Sequence, residues 1–327
     1  MSDNLANQDT ASHKSAELAE RGRLTRMAAA ASITVAAFLV VLKLWASWAT
    51  GSTAMLGSLA DSALDMIASV ATLFGVYVAA QPADEDHRFG HGKAESLAAI
   101  FQVMLIALSA AAIAFRAVER LMEGGRTAAA AEGIGVSIAA IAATFALLLW
   151  QRHVIRRTGS VAISADHTHY QSDLLLNLAV IAALVLDQFA GFSKADPIFG
   201  LGIAAWLLWG AWRAASEAID HLMDREWPDE KRQRFVELAA RHPELSNLHD
   251  LRTRTSGTQD FVQFHVDMPA AMTVEQAHDI IERVEADLSR HFPNMDLLIH
   301  IDPEGHVDDP GNMLTEEDEF AKLEKDT

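Results

Sequence analysis

The chain has 327 residues, 50% of them hydrophobic, with a formal net charge of −18 and no cysteine. That balance argues against nucleic-acid binding, which needs a basic face. It also rules out a disulfide and restricts any metal site to His, Asp or Glu. Apolar residues crowd into 27–220, whereas 221–327 has ordinary soluble composition and an acidic end. A membrane domain followed by a water-exposed one is expected.

Residues 1–22 form a polar N-terminal segment, without the apolar core of a cleavable signal peptide. Six apolar stretches follow, near 27–49, 55–80, 96–118, 132–151, 166–190 and 197–217. At about 1.5 Å per residue, each is long enough to cross roughly 30 Å of hydrocarbon. The membrane domain is placed at 23–220. Lys43, deep in the first stretch, is expected to snorkel to an interface.

The second stretch contains GSLADSALDMIASVATLFGVYVAA and carries Asp61 and Asp65. The fifth contains HYQSDLLLNLAVIAALVL and carries His169 and Asp173. Residues four apart share a helix face. An ionised carboxylate at mid-membrane costs about 2.5–3.5 kcal/mol or more, so these faces are expected to turn inward and to function. Two such faces meeting inside the membrane offer four ligands, the number Zn²⁺ prefers. Asn177, one turn beyond Asp173, is placed to orient a ligand.

Between the second and third stretches, QPADEDHRFGHGKAE brings Asp84, His87 and His91 close in sequence. A carboxylate with two imidazoles is a reasonable metal set, and Gly90 and Gly92 allow a tight turn there. Lys and Arg cluster before the first stretch, after the fourth (Arg152, Arg156, Arg157) and after the sixth. Only Arg120, Arg126 and Lys194 lie on the other side. Both termini are therefore expected in the cytoplasm, which six spans satisfy.

The cytoplasmic part, 221–303, reads as an amphipathic helix at 229–241 and strands at 248–255 and 260–267. A helix at 273–291, with Thr273 as its cap, precedes a last strand at 296–302. This αββαβ order predicts a small two-layer α+β domain with a mixed sheet. His249, His265, His278 and His300 fall on it, with Asp302 two residues after His300. Positions two apart on a strand share a face, so His300 and Asp302 can share a metal, and the five ligands on adjacent elements form a third candidate metal site. Asp267 is a candidate for its outer shell. His13, His153, His167, His221, His242, His291 and His306 read as ordinary surface or loop histidines. Residues 304–327, acidic and poor in aromatics, read as a solvated, partly disordered tail.

The segments LADSALDMIAS, HRFGHGKAESLA, HYQSDLLLN, MDREWPDE, LHDLRTRTSG and LLIHIDP resemble the cation diffusion facilitator family, in its bacterial zinc and ferrous-iron efflux branch. The likeness covers about residues 20–303. It implies a six-helix all-α transmembrane domain, a metallochaperone-like α+β cytoplasmic domain and a homodimer in the inner (plasma) membrane. It also implies proton-coupled export of a divalent metal, with protons as the coupling ion and Zn²⁺ as both substrate and structural ion. The transport site would fall on Asp61, Asp65, His169 and Asp173, and the loop site on Asp84, His87 and His91. The binuclear cytoplasmic site would fall on His249, His265, His278, His300 and Asp302. Lys93 and Asp224 sit where the family has a charge pair near the dimer contact.

Metal ligation requires neutral His and ionised Asp, so binding releases protons. Imidazole titrates near neutral pH, which makes His169 the expected proton carrier. A membrane metalloenzyme would need a base and an open catalytic site such as HExxH, and the sequence has none. A non-transporting metal sensor is the other rival. Among metals, this ligand set also suits Cd²⁺, Fe²⁺ and Mn²⁺.

Overall fold

A computed structural model describes residues 2–50, 53–123, 134–190, 195–292, 294–305 and 318–326. The chain divides into two compact units. One is Arg21–Asp220, and the other groups Met1–Glu20 with His221–Thr327.

Six long helices run through the described residues up to Leu222, and the first unit holds all of them but the start of the first and the last two residues of the sixth: α1 (Ser2–Thr50), α2 (Thr53–Ala79), α3 (Ala94–Glu123), α4 (Ile134–Thr158), α5 (Val161–Ala190) and α6 (Ala195–Leu222). Helix α1 begins far before the apolar stretch, because its polar leading residues continue the same helix. Among the described residues, five segments are long and apolar enough to cross a membrane: Ala19–Trp48, Ser62–Ala79, Ala94–Glu119, Ile138–Thr158 and Pro197–Leu222. Helix α5 is comparably long at 30 residues, but its first half carries Asp166, His167, His169 and Asp173. Large apolar side chains face outward, with Phe74 69%, Phe115 70% and Trp212 74% exposed, as lipid-facing surface should.

Small residues set how closely these helices approach. A Cβ built on Gly75 of α2 would lie 2.4 Å from the Ala98 Cβ of α3. Helix α4 ends at Gly159, whose φ of 66° L-residues with side chains seldom adopt. The Gly159 N–H closes on the Ile155 carbonyl at 2.8 Å. Ser160 then starts α5: its hydroxyl accepts from the Ile163 N–H at 3.3 Å and donates to Glu95 of α3 at 2.7 Å. This turn fixes where α5 begins, and hence the height at which His169 and Asp173 stand.

The second unit contains α7 (Asp229–Ala239), β1 (Ser246–Ser256), β2 (Gln259–Met268), α8 (Val274–His291), β3 (Met295–Pro303) and α9 (Glu319–Asp326). The sheet order is β1-β2-β3, with β1 and β2 antiparallel and β2 and β3 parallel. Parallel strands need a crossover, and α8 supplies it. Thr273 caps α8 through a reciprocal capping box with Gln276. The core packs Phe235, Leu248, Leu251, Val262, Phe264 and Leu288 at the centre, with Trp227 stacked on Phe292.

The tail differs from its expectation over Glu319–Asp326. Phe320 and Leu323, three apart, lie on one face of α9 and pack against this core. Glu319 is buried and pairs with Arg232 at 3.3 Å. The apolar face and this ion pair order the segment despite its acidic surroundings.

Candidate metal centres

Three groups of His and Asp converge among the described residues, each with ligand atoms within 4.8 Å of one another. The first joins Asp65 of α2 to His169 and Asp173 of α5. His169 Nε2 lies 2.9 Å from Asp65 Oδ1 and 3.8 Å from Asp173 Oδ2. The three side chains are 7%, 15% and 30% exposed for His169, Asp65 and Asp173. Asp61 stands one turn before Asp65 on α2, and its side chain lies outside the described residues. Two carboxylates and an imidazole form an oxygen- and nitrogen-rich set suited to a divalent first-row metal.

The helix carrying His169 is anchored by its neighbours. The Tyr170 hydroxyl donates to the Ser32 carbonyl of α1 at 3.2 Å and shares a 2.9 Å hydrogen bond with Ser69 of α2. The Ser172 hydroxyl donates to the His169 carbonyl. Asn177 does not reach the Asp173 carboxylate; its amide donates to the Asp173 carbonyl at 2.7 Å, because a residue four positions on naturally reaches backbone. Lys43, expected to snorkel, has a polar partner on the neighbouring helix. Its ammonium donates to Ser62 of α2 at 2.6 Å.

Asp166 is a buried carboxylate that sequence reasoning missed. It is fully buried, and its Oδ2 accepts from Ser32 Oγ at 2.6 Å and from Gln151 Nε2 at 2.8 Å. Its Oδ1 has no hydrogen-bond partner among the described residues. His167, expected as an ordinary surface histidine, is only partly exposed and has Nδ1 3.3 Å from Gln151 Oε1. Helices α1, α4 and α5 are thus joined by one polar network beside the metal-ligand group. The signal was available: Asp166, His169 and Asp173 are three and then four residues apart, on one helix row.

The loop group is Asp84, His87 and His91. Asp84 Oδ1 accepts from the His87 N–H at 2.6 Å and lies 3.1 Å from His87 Nδ1, while Oδ2 lies 3.3 Å from His91 Nε2. The hydrogen bond from the His87 backbone, aided by the His87 ring and the Asp86 N–H, holds the Asp84 carboxyl below its ordinary range. This keeps the ligand ionised.

The third group is His249, His265 and Asp302. Strand register explains it: His249 pairs with His265, and His265 pairs with His300, so the three imidazoles form a row across the sheet. Asp302 reaches all three, at 2.9 Å from His265, 3.4 Å from His300 and 3.7 Å from His249. β1 is irregular on both sides of His249, with Asn247 and Asp250 at φ 50°. His249 is buried, and its Nδ1 bonds the Asn247 carbonyl at 2.7 Å, which leaves Nε2 facing Asp302. Asp267 accepts from the Asn247 amide at 3.0 Å, one step behind that contact.

His278 does not join this group. It lies on α8, 67% exposed, with Glu282 at 3.5 Å. Lys93 lies just before α3 in the first unit, and Asp224, at φ 55°, accepts from Arg254 at 3.4 Å in the second.

Residues 29–223 match the family described as "Cation efflux transmembrane domain", and residues 227–304 match "Cation efflux protein, cytoplasmic domain". The chain is 44% identical over 282 residues to the cation-efflux pump FieF of Cronobacter sakazakii, covering 86% of this chain and 94% of that protein. It is 42% identical over 282 residues to the FieF of Escherichia coli, with the same 86% and 94% coverage. Among solved structures, the metal-bound C-terminal domain of the CzcD transporter from Thermotoga maritima aligns at 24% identity. That alignment covers 25% of this chain and 99% of that one, with a TM-score of 0.24.

Proposed function

The chain belongs to the cation efflux family, and from that premise we propose that it exports Zn²⁺ from the cytoplasm in exchange for protons. The observation that carries this reading is the Asp65–His169–Asp173 group, whose ligand atoms lie within 4.8 Å across two helices of the membrane unit. Asp61 completes the set as a fourth ligand. All four positions are held by protein side chains, so the site binds metal rather than activating water. His169 gives up its proton on metal binding and regains one on release.

Energetics favour exchange. Moving two positive charges outward against 100 mV costs about 4.6 kcal/mol, at about 2.3 kcal/mol per charge, and each entering proton returns about 2.3 kcal/mol. The protein works as a homodimer in the inner membrane with both termini cytoplasmic, 23–220 in the bilayer and 221–303 outside it. Lys93 and Asp224 act near the dimer contact. The sites at Asp84, His87 and His91, and at His249, His265, His300 and Asp302, bind metal on the cytoplasmic side and regulate rather than transport. The second unit is acidic, so metal there relieves repulsion between partner domains.

Proteoliposomes with an imposed pH gradient test the reading, comparing Zn²⁺, Cd²⁺, Fe²⁺ and Mn²⁺. Metal flux that collapses when the gradient is removed, and is fastest for Zn²⁺, is the expected result. Flux indifferent to the proton gradient overturns the exchange, and faster Fe²⁺ or Mn²⁺ flux overturns the choice of ion.

A further inference from the structure

Helices α4, α5 and α6 enclose an open groove of about 860 Å³ within the membrane unit. Its polarity is graded. Arg152 and Arg156 of α4, Arg213 of α6 and His167 of α5 line one end. Phe145 and Leu149 of α4, Leu174 of α5 and Trp206 of α6 line the other. The same order holds on each helix: α4 runs toward its basic end, α5 runs away from it, and Gly210 of α6 faces Thr168 of α5, which puts Arg213 level with the start of α5.

Among the described residues the basic end is uncompensated. No carboxylate lines the groove, and none of the three arginines has an acidic partner among the described residues. Guanidinium groups hold phosphate oxygens by paired hydrogen bonds. The length also fits. From Phe145 to Arg156, α4 rises about 16 Å, close to half of the roughly 30 Å hydrocarbon thickness. A soluble anion would fill the basic end and leave the apolar walls bare. A molecule with an anionic head and a chain one leaflet long fills both.

We propose that the α4–α5–α6 groove binds an anionic phospholipid, with Arg152, Arg156 and Arg213 on its headgroup phosphate and an acyl chain along Phe145, Leu149, Leu174 and Trp206. The groove contains none of the metal-ligating residues, so this site stands or falls separately from the transport reading.

The test uses the full-length protein in nanodiscs of phosphatidylcholine with a minor fraction of phosphatidylglycerol. Spin-labelled phosphatidylglycerol and phosphatidylcholine report the immobilised lipid. The wild type is expected to enrich phosphatidylglycerol over phosphatidylcholine. The Arg152→Gln/Arg213→Gln variant, checked for monodisperse elution, is expected to lower that enrichment about tenfold or more. The Arg152→Lys/Arg213→Lys variant, which keeps the charge, is expected to retain most of it. Inorganic phosphate at millimolar concentration is expected not to displace the label. Equal immobilisation of the two lipids by the wild type overturns the proposal, whatever the variants do. Undiminished enrichment in the Gln variant overturns it too. Full displacement by phosphate alone assigns the arginines to a free anion and overturns the lipid.

Discussion

Asp65 of α2 meets His169 of α5 at 2.9 Å, joining residues 104 apart in sequence. His169 is buried and Asp65 is only 15% exposed, so a charge on either depends on the other for stabilisation. Asp65→Ala should therefore lose more than about a hundredfold in metal affinity, since even outer-shell partners are worth about 10–100-fold. Zinc uptake into inverted vesicles measures it. An Asp65→Ala protein transporting at the wild-type rate sinks the assignment of this group.

Asp166 takes two hydrogen bonds, from Ser32 and Gln151, and its Oδ1 has no partner among the described residues. Gln151→Leu leaves a buried carboxylate with one donor, which costs about 1–3 kcal/mol. Thermal unfolding in detergent should show a lower midpoint, while Asp166→Leu/Gln151→Leu, lacking both partners, recovers part of the loss. A single variant as stable as the wild type removes any structural weight from this network.

Two metal ligands on α5 were read from the sequence, and the other acid on that row, Asp166, was passed over for a physical reason. His169 and Asp173 interrupt an apolar run, whereas Asp166 sits at its edge, where a polar residue is unremarkable. Its partners Ser32 and Gln151 come from α1 and α4, and only the packed bundle brings them together. The strands were visible from alternation, but the irregularity around His249 was not. Asn247 and Asp250 adopt φ 50° without a glycine to announce it. The ordered α9 was hidden because an acidic average over the tail masks two apolar residues three apart.

Gly75 lies at a close approach between α2 and α3. The Cβ of Gly75→Ala would lie 2.4 Å from the Ala98 Cβ and 3.1 Å from the Ala94 carbonyl. Helix α2 must then move away from α3 or strain, at about 1–3 kcal/mol. Because Asp65 rides on α2, metal affinity should fall together with stability. Ala98→Gly in the same chain removes the closer contact and should restore part of both, and a double variant no better than Gly75→Ala would show that the contact is not the cause.

Glu285 on α8 has its carboxyl raised above the ordinary range, first by burial and then by the nearby Glu282 charge. The sign follows from linkage: ionising Glu285 costs more in the fold than in the unfolded chain, so wild-type stability falls as pH rises through the folded pKa. Glu285→Gln removes that penalty. Its unfolding midpoint should exceed the wild type's at pH 7, and the gap should close well below pH 4.5, the unperturbed value. Partial exposure screens the effect, so the gain stays below about 1 kcal/mol. Thermal melts of a 221–327 fragment at both pH values measure it, and a gap that widens in acid contradicts the sign.

Asp302 faces His249, His265 and His300 together. If these side chains hold Zn²⁺, metal at a hundred times its Kd stabilises the second unit by about 2.7 kcal/mol. For a domain of this size that raises the midpoint by roughly 10–20 °C. Asp302→Asn keeps the shape but loses the anionic ligand, so most of the zinc-dependent rise should vanish while the metal-free midpoint changes little. Acidification should shrink the wild-type rise as well, because protonated imidazole cannot ligate. The comparison needs only four melts, with and without zinc for each protein. An Asp302→Asn fragment stabilised as strongly as the wild type would move the metal elsewhere on the sheet and leave the histidine row as surface decoration.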